Sequence, residues 1–461
     1  MGVFGLVADN WRRGVLALFA VGVLQDVFRK LTPGAPAYFI LWVGVVFGVV
    51  VLFALSRGAV RGLRPLYLQD RALADAWRFF IAVVLLQAIH AWLRWGSPLV
   101  PVLGLFFYLG PVVALLVGMA YAKSERWIDR FLAGYVLIML PAVLTVYLTP
   151  QFGEQFPVLR DVGVLTGTQI TIYDVGTALE SYSGVLRVGE LAAWHAATTI
   201  MFLSILMVRR PGLIFRAFTI FLIAALVGAI LLTGRRKMLM TLVVFFSFQW
   251  VLLALLRRGL TKGTGTLLAL VVGGTLAFAV FGLEQTDSPH GLYAQRGLSV
   301  FDSLDERTTT ARRLAVSAWH RSDVIGLGAG VAGQGARFAG GAGSARAVGG
   351  AAEAGVGMIL VELGLVGVIA LLWLLYRLGV RVWYGLRVLA ARHRMMLPYA
   401  SAFVAMLVAN LATFAVATQL YGDLLVLITL GLTAGMLFAL VNAGLVQQRV
   451  RRHAARQAAV A

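Results

Sequence analysis

The stretch IGLGAGVAGQGARFAG (residues 325–340), followed by EAGVGMILVELGLVGVIALLWLLYR (residues 353–377), sets a glycine run against a hydrophobic segment. The second part holds an apolar run of about 20 residues, the length that crosses a bilayer as a helix. Ahead of it, from about residue 283, lies a long polar segment with Arg307, Arg312 and Arg313. This is the pattern of a membrane helix entered from a large loop, and the remaining chain repeats its hydrophobic half.

The chain has 461 residues, of which 60% are hydrophobic and 13% charged, with a mean hydropathy of +0.87. No soluble domain of this length has such a composition. The expected fold class is therefore an all-α polytopic membrane protein, one membrane domain over residues 1–461. Apolar runs of spanning length fall near 14–29, 37–56, 77–95, 98–121, 131–149, 190–208, 214–233, 238–256, 264–283, 356–376, 398–416 and 421–444, which predicts about twelve helices. No small-residue cleavage site follows Arg12 and Arg13, so the first run reads as a retained span. No cysteine is present, which removes disulfides, thiolate nucleophiles and cysteine-held metals.

A net charge of +20 invites a nucleic-acid reading. With both termini cytoplasmic, however, the whole excess falls on the inner side, as the positive-inside bias requires. The basic surplus thus reads as topology and anionic-lipid contact, with Arg449, Arg451, Arg452 and Arg456 as a tail lying on the lipid surface.

In this topology two outer loops exceed ordinary connections: residues 150–189, with β-branched runs and acids, and residues 283–355. A short outer turn, Thr233-Gly234-Arg235-Arg236-Lys237, places three adjacent cations where cations are avoided. Guanidinium forks match phosphate geometry and keep their charge. Arg235, Arg236 and Lys237, with Arg307, Arg312 and Arg313, are therefore candidates for a phosphate-bearing ligand, and the alternatives are lipid headgroups or local acids. The glycines from Gly326 to Gly335, Gly328 and Gly330 among them, offer either a backbone anion nest or a flexible linker. Glu353 stands at the mouth of the next span, where a general base is useful. Glu362 lies inside that span and calls for a partner, a buried arginine being the simplest. His320 and His290 face outward, and His195 reads as an interior histidine. At the outer end of the first span, Asp26 sits beside Arg29 and Lys30, either closing that end as a salt bridge or touching the same anion.

Taken together, these residues resemble the superfamily of Wzy-type oligosaccharide repeat-unit polymerases and O-antigen ligases. Three segments carry the resemblance: Thr-Gly-x-Arg at Thr233, Gly234 and Arg236; an arginine, Arg307 or Arg312, upstream of Gly326, Gly328 and Gly330; and Glu-x-Gly-x-x-Gly at Glu362, Gly364 and Gly367. The likeness covers roughly residues 190–380, and QDVFRKLTPG suggests an exopolysaccharide branch. It departs where many members, ligases especially, have a His-Asn pair, since this chain has Glu353-Ala354 there.

What the resemblance implies is a GT-C-like membrane glycosyltransferase of the bacterial inner membrane, its two large loops periplasmic. Donor and acceptor would be glycans on undecaprenyl pyrophosphate, and flippase, chain-length and export proteins would be partners. Arg236 and Arg312 would be catalytic with Glu353; Arg235, Lys237, Arg307, Arg313, Gly328, Gly330 and His320 would bind substrate; and Glu362, Gly364, Gly367, Asp26 and Arg29 would support them. Arginines replacing a metal would make the reaction independent of metal and cofactor. Ligation to another acceptor, a twelve-span transporter and a non-catalytic scaffold are the competing readings.

Overall fold

The computed structural model describes residues 3–60, 70–167, 172–174, 177–209, 212–256, 293, 309, 313, 316–317, 319–320, 322, 324–333, 354–393 and 395–458. In chain order the long helices are α1 (Val3–Asp9), α2 (Trp11–Leu31), α3 (Leu41–Ser56), α4 (Arg71–Trp95), α5 (Leu99–Tyr121), α6 (Glu125–Leu144), α7 (Gly189–Arg209), α8 (Leu213–Leu232), α9 (Lys237–Leu256), α10 (Gly355–Arg392), α11 (Leu397–Val416) and α12 (Leu424–Ala458). Between α6 and α7 a two-stranded antiparallel ribbon pairs β1 (Ile172–Asp174) with β2 (Thr177–Leu179), in register Ile172 opposite Leu179.

Ten of the described helices are long and apolar enough to cross a membrane, so the chain is an α-helical multi-pass membrane protein. Two of the twelve expected spans are not among these ten. The first run does form α2, but its charges, Arg12 and Arg13 at one end and Asp26, Arg29 and Lys30 at the other, keep it out of the apolar ten. The expected span at 264–283 lies outside the described residues.

The chain divides into two compact units. The first comprises residues 1–53, 124–304 and 404–410. Its centre is α7, buried along almost its whole length, because small and apolar residues (Ala192, Ala193, Ala196, Ala197, Ile200) occupy every face. A helix that is apolar all round belongs in an interior. Its few polar groups find partners there: the Tyr135 hydroxyl lies 2.7 Å from His195 Nδ1, and Trp194 Nε1 donates to Asn410 Oδ1 at 2.8 Å. His195 is thus the interior histidine that its setting in the sequence suggests. On α2, Phe19 packs edge-on against Phe131 and Tyr135 of α6.

The second unit comprises residues 54–123, 305–403 and 411–461. Its α5 and α12 approach closely because glycines line the seam. A Cβ at Gly431 would stand 2.6 Å from the Ala114 side chain and the Pro111 carbonyl oxygen. Asp70, the N-cap of α4, receives Arg377 at 3.3 Å and Arg381 at 3.7 Å from α10, and Arg381 also donates to Asn442 of α12 at 2.8 Å. That end of the unit is tied by charge, and the other end by the glycine loop.

Candidate functional site

The best candidate in the first unit is the end that carries residues 145–189. Here α2 ends, α7 begins, and the turn between α8 and α9 presents Arg235, Arg236 and Lys237. The segment 181–184 stitches the three together. Lys30 Nζ donates to Val158 O (3.2 Å), Ser183 Oγ (3.1 Å) and Gly184 O (2.7 Å), while Ser181 Oγ donates to Thr233 O at 3.0 Å. The turn owes its shape to Thr233, whose hydroxyl closes onto Ile230 O at 2.6 Å, and to Gly234, at a φ of 69° that favours glycine.

Three acids of this region are already engaged. Asp161 caps the short helix Val162–Leu165 through Gly163 N at 2.8 Å and accepts from Gly189 N, at the start of α7, at 3.0 Å. Asp26 accepts from Arg187 N at 3.0 Å with the Arg187 guanidinium 4.0 Å away, and Glu190 pairs with Lys237. Arg29 donates to Ala35 O at 3.0 Å and lies within electrostatic reach of Arg187, Asp26 and Asp161. Burial pushes the Arg235 guanidinium below its ordinary pKa, and nearby Asp161 partly offsets this. The Arg235 Nε is buried without a hydrogen-bond partner among the described residues. Arg29, Lys30, Arg187, Arg235, Arg236 and Lys237 thus gather at one end of the first unit, with Asp26, Asp161 and Glu190 among the acids beside them. Guanidinium groups in such a setting have the geometry and fixed charge to hold a phosphate.

The glycine run in the second unit does a different job. Residues 324–333 insert between α4, α5 and α10 and are buried from Gly326 to Ala332. Leu327 N donates to Val361 O (2.7 Å), Gly328 N to Glu362 O (3.1 Å), Ala329 N to Gln87 O (3.1 Å), and Leu365 N to Val324 O (3.0 Å). α10 is broken at Gly364 (φ 66°, ψ −169°), which frees its backbone for this pairing. Irregular backbone at membrane depth is tolerated only when protein satisfies it in this way. A Cβ at Gly328 would stand 2.6 Å from Ala91 Cα, and one at Gly104 would stand 2.5 Å from the Ala329 carbonyl carbon. The run is therefore a packed joint. It also forms an anion nest, whose anion is the protein's own: the Glu362 carboxylate accepts from Ala332 N at 2.9 Å, from Tyr108 OH at 2.8 Å, and from the Gly330 and Gly333 amides. The buried arginine expected beside Glu362 is not what holds it.

The expected site residues are thus distributed as follows. Arg235, Arg236, Lys237, Asp26 and Arg29 belong to the cation-rich end of the first unit. Asp26 reaches across the sequence to Arg187 in addition to standing near its own helix neighbours. In the second unit, Gly328, Gly330, Glu362 and Gly364 form the buried joint, with Gly367 one turn further along α10. Arg313 and His320 are exposed. Arg307, Arg312, Glu353 and His290 lie outside the described residues. Sequence reasoning passed over Arg187, Ser181, Ser183 and Glu190; a loop flanked by two long apolar runs and ending in Arg187-Val188-Gly189-Glu190 was the available signal. It also passed over Tyr108, which has no mark in an apolar span. Among the described residues, no group of three or more histidines, cysteines and carboxylates could hold a metal. No family model matches the chain, and a search of curated proteins returns no match.

Proposed function

We propose that the protein is a membrane glycosyltransferase that polymerises undecaprenyl-pyrophosphate-linked oligosaccharide repeat units at the periplasmic face of a bacterial inner membrane. The observation that carries this reading is the gathering of Arg29, Lys30, Arg187, Arg235, Arg236 and Lys237 at the loop end of the first unit. A pyrophosphate at a membrane surface carries the negative charge and the acceptor oxygens that guanidinium and ammonium groups bind. In the proposed reaction an acceptor hydroxyl attacks C1 of the donor sugar with inversion. The C1–O bond to pyrophosphate breaks, its electron pair leaves on the undecaprenyl pyrophosphate, and the hydroxyl proton passes to a base. Arg235 and Arg236 stabilise the leaving charge by fixed electrostatics, which is worth most where water is excluded. Glu353 is the base that the sequence offers.

The break in α10 at Gly364 is also a device of carriers, which place substrates at interrupted helices. Here the interruption is filled by residues 324–333, and its donors are spent on Glu362 and on backbone carbonyls. We therefore keep the enzyme reading over transport.

The test uses the full chain in lipid nanodiscs with a lipid-pyrophosphate-linked repeat unit, no nucleotide and a chelator, following glycan length on gels. A ladder from the wild type, lost by at least about a hundredfold in Arg236→Ala, is the expected result, since one preorganised charge on a leaving group is worth about that much. If the native repeat unit gives no ladder, but transfer to a different acceptor does occur, the protein is a ligase. If it gives neither, the enzyme reading falls.

A further inference from the structure

Arg235 and Arg236 stand on a turn between two helices, and a turn places long side chains only as well as its own backbone is held. Two side chains of one segment hold this turn from outside. At its start, Thr233 caps the C-terminus of α8, where the last carbonyls of a helix have no partner within the helix. Thr233 is fully buried, and its carbonyl accepts from the Ser181 hydroxyl at 3.0 Å. At its end, Lys237 opens α9 and pairs with Glu190 on the first turn of α7. Arg235 and Arg236 lie between these two contacts.

Ser181 and Glu190 belong to one stretch of chain, and that stretch is itself anchored along its length. Lys30 holds Ser183 and Gly184, Thr145 Oγ1 accepts from Val185 N at 2.9 Å, and Asp161 accepts from Gly189 N. Gly189 lies so near Ser181 that a Cβ there would fall on the serine hydroxyl. A glycine at 189 is therefore what leaves Ser181 Oγ its place against Thr233. We propose that Ser181 is a positioning residue, which sets the 233–237 turn so that Arg235 and Arg236 meet the leaving pyrophosphate. This role rests on the glycosyltransferase reading above. Without the hydroxyl, a buried carbonyl at the end of α8 loses its donor and the turn loosens.

The experiment compares the full-length wild type in lipid nanodiscs with Ser181→Ala, with Gly189→Ala, and with Ser204→Ala as control, whose hydroxyl bonds Met201 O within α7. Amide exchange over residues 233–240, read by mass spectrometry, is expected to quicken about fivefold in the first two variants, the worth of one neutral hydrogen bond. The control should exchange as the wild type does. Transfer from the lipid-pyrophosphate-linked repeat unit should lose about tenfold in kcat at constant KM, because the guanidiniums act on charge that appears as the bond to pyrophosphate breaks. A mere loss of folded protein would leave kcat per folded enzyme as it was. Unchanged exchange over residues 233–240, or a rise in KM with kcat intact, overturns the proposal. If the wild type transfers nothing, the glycosyltransferase reading falls by itself. Affinity for inorganic pyrophosphate, expected to weaken about fivefold in both variants, then decides the role of Ser181, and an affinity equal to that of the wild type ends it. Should Ser181→Ala not fold, Gly189→Ala, which keeps the serine and displaces its hydroxyl, carries the same comparison.

Discussion

A carboxylate buried in an apolar helix survives only when every lone pair finds a donor. Glu362 meets that condition with one hydroxyl and several backbone amides. Removing one donor, as in Tyr108→Phe, should cost about 1–3 kcal/mol, the penalty for an under-satisfied buried acceptor, read as a lowered melting temperature of the detergent-solubilised protein. Glu362→Gln should cost more, because an amide NH₂ group replaces one acceptor oxygen and faces N–H donors. If Glu362→Gln melts as the wild type does, the nest is not holding a charge. The residue itself was legible as an ionisable group within a span. Its partners were not, since Tyr108 is 254 positions away and backbone amides leave no trace in composition. The cations of the 233–237 turn were legible for the opposite reason, because in the topology expected from the sequence they stand where cations are avoided. Lys30 belongs at this scale too. Lys30→Met would strand the acceptors Val158 O, Ser183 Oγ and Gly184 O and cost about 3 kcal/mol, the range for breaking a buried charged network, with loosening of residues 181–184 visible as faster amide exchange.

At the scale of elements, the glycines of the inserted loop are not equivalent. Gly328 and Gly330 have φ near +107° and +91° and would drive a Cβ into Ala91 and into the Val100 carbonyl, whereas the nearest atom to a Cβ at Gly333 is 3.7 Å away. Gly328→Ala and Gly330→Ala should therefore each lower stability by roughly 2 kcal/mol or more, while Gly333→Ala should stay within about 0.5 kcal/mol. Size-exclusion profiles and melting curves of the three variants decide this, and equal behaviour of all three would discard the packing argument. Ten helices could be read from hydropathy because length and apolar content are local properties. The joint between residues 324–333 and the broken α10 could not, because a glycine needed for a tight fit looks the same in sequence as a glycine in a linker. Only the third dimension separates them.

At the scale of the molecule, the charge bias predicts which end of each unit faces which compartment. The absence of cysteine makes this simple to test, since any introduced thiol is the only one. Gln155→Cys, exposed in the segment after α6, should react with a membrane-impermeant maleimide in intact spheroplasts. Ser124→Cys, exposed at the start of α6, should react only after permeabilisation. The reverse pattern would invert the topology and remove the periplasmic reading of the cation cluster with it. The division into two units was not anticipated from sequence, because each unit is assembled from segments far apart in the chain: residues 1–53 fold with 124–304, and 54–123 with 305–403.

The burial of residues 324–333 has a consequence for how the protein is made. The helices that enclose this segment on one side, α4 and α5, leave the ribosome well before it, but the stretch of α10 that supplies Val361, Glu362 and Leu365 leaves after it. Until that stretch of α10 has been made, the amides of Leu327 and Gly328 are without their final acceptors. Seating must wait for α10, so this segment takes its place between the helices as a late step of biogenesis rather than in the order of synthesis.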